Sequence, residues 1–390
     1  MVNRQFFFNH IAQTSPAPPA LEIKGAKGVY LYGADGKKYI DLISGIAVSN
    51  LGHSNAKVVN AIKRQLEKHS YLMVYGEYIV TPQIDYATAL IAHLPKNLNN
   101  IYYVNSGSEA IEGALKLAKR YTGRTEIIAF KNAYHGSTHG ALSVMGDEVM
   151  KQAFRPLLPD VRFLTFNDEN NIDAITDRTA CVLVEPIQGE AGVVVPHKDF
   201  LQKLRKRCSQ TQTLLVFDEI QTGMGRTGRL FAFEKYKVVP DILCLAKAFG
   251  GGMPLGAFIS SKEIMSKLSH DPVLGHITTY GGHPLSCVAG AATLKEIVSK
   301  KMHLSADKKG QLFKKLLKHP KIKEVRGEGL LLAVQFSTEE ETKNVIARCV
   351  DNGVITDWFL FNSSAMRIAP PLIISDKEIR HACSVILDSL

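Results

Sequence analysis

Cysteine is scarce in this sequence of 390 residues and lies scattered, at positions 181, 208, 244, 287, 349 and 383, with no CxxC pair. That pattern excludes a disulfide framework and a cysteine-ligated zinc site, and predicts reduced thiols in the core. There is no H-E-x-x-H and no Walker-type G-x-x-x-x-G-K-[ST] loop, which removes a helix-borne zinc protease site and a P-loop. No uninterrupted apolar stretch approaches the roughly 18–20 residues of a membrane helix. The opening MVNRQFFFNH turns polar before a hydrophobic signal region is built, so a cytoplasmic location is expected. Repeats, low-complexity tracts and an obvious linker are also missing. Acidic residues are in deficit, 37 against 47 basic, for a net charge of +10. The basic residues are spread along helix-like segments. The densest run, KKGQLFKKLLKHPKIK (308–323), has the spacing of an amphipathic helix with a solvated face. This distribution speaks against nucleic acid as a partner and suits an acidic small substrate.

What remains is ordinary globular material, 45% apolar and 22% charged, long enough for more than one domain. VYLYGADGKKYIDL (29–42) reads as a hairpin turning at Asp35-Gly36, and two amphipathic helices follow, the second with Thr81 as its cap and Pro82 at its first position. NIYYV (100–104), EIIAF (126–130), VRFLTF (161–166), CVLVEPI (181–187) and TLLVFDE (213–219) are short apolar strands, several separated by helix-like runs such as DFLQKLRKRC. Strands alternating with helices argue an α/β fold with a largely parallel sheet covered on both faces. After about residue 300 the texture becomes that of a smaller α+β unit, closing with a helix that starts at Ser375 with Glu378 completing a capping box.

In such sheets ligands sit beyond the carboxyl ends of the strands. NSGSEA (105–110) follows a strand and opens a helix. Ser106, Gly107 and Ser108 there either cradle a phosphate at the positive end of the helix or simply cap it. Asp218 ends LLVFD, as an anionic partner or as a turn cap. Lys247 ends the apolar run ILCLA, as a desolvated amine nucleophile or as a lysine reaching back to solvent. Together, a phosphate cradle, a carboxylate and an amine at neighbouring strand ends are what pyridoxal phosphate needs for its phosphate, ring nitrogen and aldehyde. Gly250, Gly251 and Gly252 would let the backbone turn away beside it. GMGRTG (223–228) satisfies G-x-G-x-x-G literally, but it lacks the following helix and βαβ unit of a dinucleotide site.

NSGSEA, AYHG, VEPIQGEAGVVVP, FDEIQTGMGRTG, LAKAFGGGMPLG and TTYGGHP, in that order, resemble the class III pyridoxal-phosphate aminotransferases, the group of the ornithine, acetylornithine and 4-aminobutyrate enzymes. The resemblance runs from GVYLYGADGKKYIDL to MRIAPPLII. It implies the type I transferase fold: a large domain (48–285) with a mixed, mostly parallel sheet, and a small domain assembled from residues 1–47 and 286–390. It implies Lys247 as the Schiff-base lysine and proton carrier, and Asp218 as partner of the ring nitrogen. It places Gln221 near the phenolic oxygen, Tyr134 on the ring face with His135 beside it, and Ser106, Gly107 and Ser108 at the phosphate. Glu185 joins the cofactor-binding set. Thr279 would reach the phosphate of the other subunit, so a homodimer with shared sites is implied. Glu190 and Arg367 would form a pair that opens when a dicarboxylate binds.

Three departures stand out. Ser137 occupies the place of an arginine that grips a substrate carboxylate in ornithine-type members, and a hydroxyl cannot replace a bidentate guanidinium. His283 replaces the usual Asn after TYGG, and GHSNA lacks the usual His-Pro. The expected activity is transfer of an amino group from an ω-amino acid or related amine to a 2-oxo acid, 2-oxoglutarate first and pyruvate as the alternative. A glutamate-1-semialdehyde-type aminomutase is disfavoured by Gln221, where that group carries Met. A binding protein without catalysis is disfavoured by the joint presence of Lys247, Asp218 and Gln221.

Overall fold

The computed structural model describes residues 2–197 and 199–390. Its centre is a seven-stranded sheet in the order Asn100–Val104, Gly256–Ser260, Ile242–Leu245, Leu214–Asp218, Thr179–Val184, Glu126–Phe130, Val161–Leu164. Gly256–Ser260 runs antiparallel to both of its neighbours, and the remaining adjacent pairs are parallel. The sheet is therefore mixed and mostly parallel, with the carboxyl ends of the parallel strands at one edge. Four of its central strands are buried along their whole length. That is why they read as continuous apolar runs rather than as alternating ones. Apolar side chains cover both faces. One layer contains Phe130, Phe200, Phe217, Phe249 and Leu294. The other is built on the helix Gly107–Thr122 and includes Ile111, Leu115, Val216 and Phe258. Gly113 in that helix is obligatory, since a Cβ would stand 2.2 Å from Cε1 of Phe258.

Both chain ends share a further core. Ile40 and Leu42 pack with Phe313, Leu332, Phe336, Ile368 and Ile379. The hairpin strands Tyr30–Gly33 and Lys38–Asp41 pair as expected, and Lys38–Asp41 is extended by Val354–Ile355. A second small sheet joins Glu324–Glu328, Leu331–Gln335, Asn362–Ile368 and Trp358–Phe359. The final helix, Asp376–Asp388, starts on the Ser375/Glu378 capping box. The second amphipathic helix, Thr81–Ile91, starts one residue earlier than expected: Thr81 is its first residue and Val80, without a side-chain bond, stands at the cap.

Two features of the join between chain ends were not legible beforehand. Ser44, Gly45, Ile46 and Ala47 all have positive φ (46°, 65°, 59° and 62°), a left-handed turn disfavoured for L residues. Asp41 Oδ1 holds it by accepting from the amides of Ile43 (2.8 Å) and Ser44 (2.7 Å), and Ser44 Oγ donates to the carbonyl of Ala369 (2.6 Å). Arg226, the arginine of GMGRTG, is fully buried beside it. It donates to the carbonyls of Leu330 (3.0 Å) and Pro370, to Ser44 Oγ (3.3 Å) and to Asn50 Oδ1. The glycine-rich segment is thus a structural rivet between chain ends, not a nucleotide loop.

Candidate active site

A cavity of about 390 Å³ opens at the carboxyl edge of the large sheet. Ser106, Gly107, Ser108, Tyr134, His135, Glu185, Glu190, Asp218, Gln221 and Lys247 all line it. Each stands where a strand hands over to a loop or helix, so the parallel topology collects residues that are distant in sequence.

The cradle is built first. Ser106 spends its side chain on the helix cap, accepting from the amide of Glu109 (3.2 Å), while the helix opens at Gly107 on the cavity wall. The capping reading is therefore correct for Ser106 Oγ, and the first-turn amides stay available to an anion. Ser108 Oγ accepts from the amide of Ser137 at 3.3 Å. Gly136 between them has φ +132°, and a Cβ there would lie 2.1 Å from Ser108 Oγ. Only glycine lets the AYHG loop close over the helix start.

Asp218 sits 4% exposed at its strand end. Its Oδ1 accepts from the amide of Ile220 (3.0 Å), and its Oδ2 lies 2.8 Å from His135 Nδ1. His135 Nε2 and Gln221 Oε1 are buried without a hydrogen-bond partner among the described residues. Glu185 accepts from the amides of Gly189 (3.1 Å) and Tyr134 (3.2 Å), so it ties the Tyr134 loop to the loop of Glu190. Burial, then the nearby Asp218 charge, pushes the Glu185 carboxyl well up, against the pull of those two amides.

Lys247 takes a left-handed conformation (φ 53°) at the start of a 3₁₀ turn. Strain of that kind is stored where surrounding structure over-determines it. Burial pushes its amine below the ordinary lysine range, while the Glu190 and Asp218 charges oppose the shift. Of the glycines that follow, Gly252 borders the cavity. Gly251 serves packing instead: a Cβ there would stand 2.4 Å from Thr293 Oγ1 and 2.6 Å from the Ala289 carbonyl. Gly250, with Leu255 Cβ 3.1 Å away, is likewise a packing position.

Arg367 and Glu190, 2% and 5% exposed, meet fork to fork. Nη1 donates to Oε1 at 3.0 Å and Nη2 to Oε2 at 2.9 Å. Burial pushes Glu190 up, but the Arg367 charge and hydrogen bonds outweigh it, and the carboxyl lies below its usual range. Gln221 Nε2 also donates to Glu190 Oε1 (3.2 Å).

Thr279 and Arg367 are not on the wall of this cavity. Thr279 is exposed, on a segment with Val273, Ile277 and Tyr280 exposed around it, and its carbonyl accepts from the Tyr71 hydroxyl at 2.7 Å. Thr14, Tyr75 and Tyr78 do not line the cavity either. His283 has a plain role: its Nδ1 accepts from the amide of Leu285 (3.2 Å) and caps the helix Pro284–Ser299, as an Asn would. Asn55 caps Ala56–Leu66 in the same way, so the missing His-Pro alters only a helix start. Sequence reasoning passed over Val48, Asn105 and Met253 on the wall, and Asp357 behind Arg367. Asn105 stood inside a motif already singled out. Val48 had no signal, because only the left-handed turn brings it there.

The residues fit pyridoxal phosphate. The glycine-only cradle at a helix start suits a phosphate. The two orphaned buried atoms, His135 Nε2 and Gln221 Oε1, mark unmet polar capacity beside Asp218 and Lys247.

A carboxylate and an amine converging at the carboxyl edge of such a sheet mark an enzyme of the type I transferase fold. The class-III aminotransferase family model matches residues 11–390, and the chain belongs to that family. It is similar to the acetylornithine aminotransferases of Methanopyrus kandleri (39% identical over 369 residues, 93% of this chain and 92% of that one) and Clostridium acetobutylicum (40%, 93% and 95%). It is 40% identical over 322 residues to the [LysW]-aminoadipate semialdehyde/glutamate semialdehyde transaminase of Sulfurisphaera tokodaii, covering 81% of this chain and 82% of that one. Among solved structures, the ornithine aminotransferase of Toxoplasma gondii superposes with a TM-score of 0.91 at 30% identity, over 99% of this chain and 92% of that one. A transaminase from the marine bacterium Virgibacillus gives 0.93 at 25%, over 100% and 98%. The protein is a transaminase.

Proposed function

We propose that the enzyme binds pyridoxal phosphate in this cavity and moves an amino group from an ω-amino acid or related amine to a 2-oxo acid, in two half-reactions at one site. The observation that carries the reading is Lys247 and Asp218 at adjacent strand ends beside a cradle only glycine can close. Gly107 and Ser108 would hold the phosphate, Asp218 the ring nitrogen and Gln221 the side of the phenolic oxygen, with Lys247 as the amine for the aldehyde. When bound, the cofactor supplies an electron-poor ring that takes up the electron pair released at the substrate carbon. His135, hydrogen-bonded to Asp218, keeps that carboxylate oriented. Tyr134, its backbone fixed by Glu185, would face the ring. Lys247 Nζ, its basicity reduced by burial, would act as the base once the substrate amine has replaced it at the aldehyde carbon, taking a proton from the substrate carbon and returning one.

Arg367 is the grip for a carboxylate, and Glu190 neutralises it when none is present. The relatives are named for acetylornithine, ornithine and [LysW]-aminoadipate semialdehyde/glutamate semialdehyde. Ser137, whose Oγ lies 3.2 Å from the Tyr134 hydroxyl, leaves no arginine on this wall for a second carboxylate. The donors in keeping with this site are acetylornithine, ornithine, 4-aminobutyrate or a lysine-like amine, with 2-oxoglutarate or pyruvate as acceptor, and the missing arginine leaves Arg367 as the grip for a dicarboxylic acceptor. Thr279 is assigned to the phosphate of a second subunit in a homodimer, supported by its exposure among apolar neighbours. Two domains, 48–285 and 1–47 with 286–390, are part of the same reading, with the helix Pro284–Ser299 spanning the join by packing on Ala56–Leu66 and Thr81–Ile91. So is a cytoplasmic location, in keeping with six cysteines that are all free. Borohydride reduction of the cofactor-loaded enzyme followed by peptide mapping should label Lys247, and Lys247→Ala should lose several orders of magnitude in turnover. Label on another lysine sinks the assignment. A panel of amino donors against both oxo acids then fixes the substrates.

A further inference from the structure

We propose that Asp357 is a positioning residue that holds the Arg367 guanidinium still, so that a substrate carboxylate enters by displacing Glu190 alone. This deepens the reading of Arg367 as a carboxylate grip and rests on it.

Arg367 is held on three sides by its own hairpin. Nε donates to Asp357 Oδ1 at 2.8 Å, Nη2 reaches the Trp358 carbonyl at 3.5 Å, and Cζ lies 4.3 Å from the centre of the Phe359 ring. The backbones are locked as well, with the Arg367 amide donating to the Asp357 carbonyl (2.8 Å) and Thr356 Oγ1 donating to the Arg367 carbonyl (2.5 Å). The fourth side, the Nη1/Nη2 fork, faces Glu190, which comes from a different part of the chain. Glu190 stands between Gly189 and Gly192, the latter with φ +87°. For the guanidinium to swing toward a substrate, the Nε bond, the carbonyl contact and the ring contact must break together. For Glu190 to leave, its side chain must turn and give up, besides the fork, the hydrogen bonds from Gln221 Nε2 (3.2 Å) and the Leu360 amide (3.3 Å), while its backbone stays tied through the Phe361 amide (3.0 Å). The fork it vacates has the geometry that binds a carboxylate with two parallel hydrogen bonds.

Asp357 also sets the charge. Two carboxylates face one guanidinium, so an arriving anion meets a site already neutralised. The same residue that keeps the fork aimed therefore restrains its affinity.

Glutarate, a dicarboxylate that cannot react, is the probe, titrated by calorimetry into the pyridoxal-phosphate-loaded enzyme. Asp357→Asn keeps an acceptor oxygen for Nε and removes a repelling charge, so glutarate should bind as tightly as to the wild type or up to about tenfold tighter. Asp357→Ala leaves the Nε edge free, and binding should be at least about tenfold weaker than in the Asn variant, at similar melting temperature. Equal affinities of the Asn and Ala variants overturn the anchoring role. Arg367→Ala separates this inference from the reading beneath it: if that variant binds glutarate like the wild type, the grip itself is wrongly assigned. A second measurement needs no ligand. In crystals of Asp357→Ala, Arg367 should occupy more than one orientation, and an Arg367 unmoved from its place overturns the proposal.

Discussion

Replacing Arg367 by methionine removes a buried cation from between two carboxylates and fills much of its space with an apolar chain. Breaking a buried pair from one side costs roughly 3–5 kcal/mol. Glu190 and Asp357 can relieve part of that by taking up protons, so about 3 kcal/mol is the expectation at pH 8. At an unfolding entropy of ~2.1 cal/mol/K per residue, a chain of 390 residues loses about 4 °C of melting temperature for that amount. The loss should depend on pH, with a definite sign. In the wild type Glu190 titrates below the usual range. The stability it contributes is complete above the ordinary glutamate pKa and disappears as pH falls through the lowered folded value. In the variant the Arg367 pull is gone: burial then dominates Glu190 against the weaker pull of the Lys247 charge and the Gln221 hydrogen bond, Asp357, already raised by burial, rises further, and stability falls as pH rises past the ordinary carboxylate range. The deficit should therefore grow between about pH 5.5 and pH 8.5. Thermal scans across that interval measure it, and adding Glu190→Gln should recover half or more of the loss at pH 8.5. A deficit of equal size at every pH, or no recovery in the double variant, would refute the claim that Arg367 is there to neutralise these carboxylates.

Asp218→Asn should keep the fold and bound cofactor but lose roughly 10²-fold in turnover, on the order of 3 kcal/mol, and unchanged turnover would reduce Asp218 to a turn cap. Gly136→Ala puts a methyl group 2.1 Å from Ser108 Oγ at a φ that side chains avoid. The loaded variant should release cofactor about tenfold or more faster on dialysis, followed by its absorbance, and undiminished retention would mean the loop is not part of the cradle. Mixing an inactive Lys247→Ala chain with an inactive Thr279→Ala chain should restore activity through heterodimers with one intact site; no recovery after confirmed subunit exchange would remove Thr279 from the partner's site.

The parallel strands were legible in the sequence because strands covered on both faces must be apolar throughout, and a continuous apolar run with a polar end announces both the strand and the edge where ligands gather. Asp218 and Lys247 could be found that way: a charged residue closing an apolar run is costly without a purpose. The strand Gly256–Ser260 was not found, since five residues directly behind a glycine-rich turn carry no periodicity to separate them from it. Arg226 shows the limit from the other side, a motif whose letters fit a nucleotide loop but whose guanidinium is spent on two carbonyls of the C-terminal segment and on the side chains of Ser44 and Asn50. Asp357, Val48 and the left-handed turn at Ser44–Ala47 were decided only by tertiary structure. Their roles depend on which segment lies opposite, and hydrogen bonding across distant parts of the chain leaves no local pattern in either segment. The sequence by itself determined the parallel strands and the charged residues at their ends, because burial and strand-end charge are local properties of composition. Which carboxylates meet Arg367, and which backbone must be strained to bring Val48 to the wall, depended on the folded chain ends closing on one another.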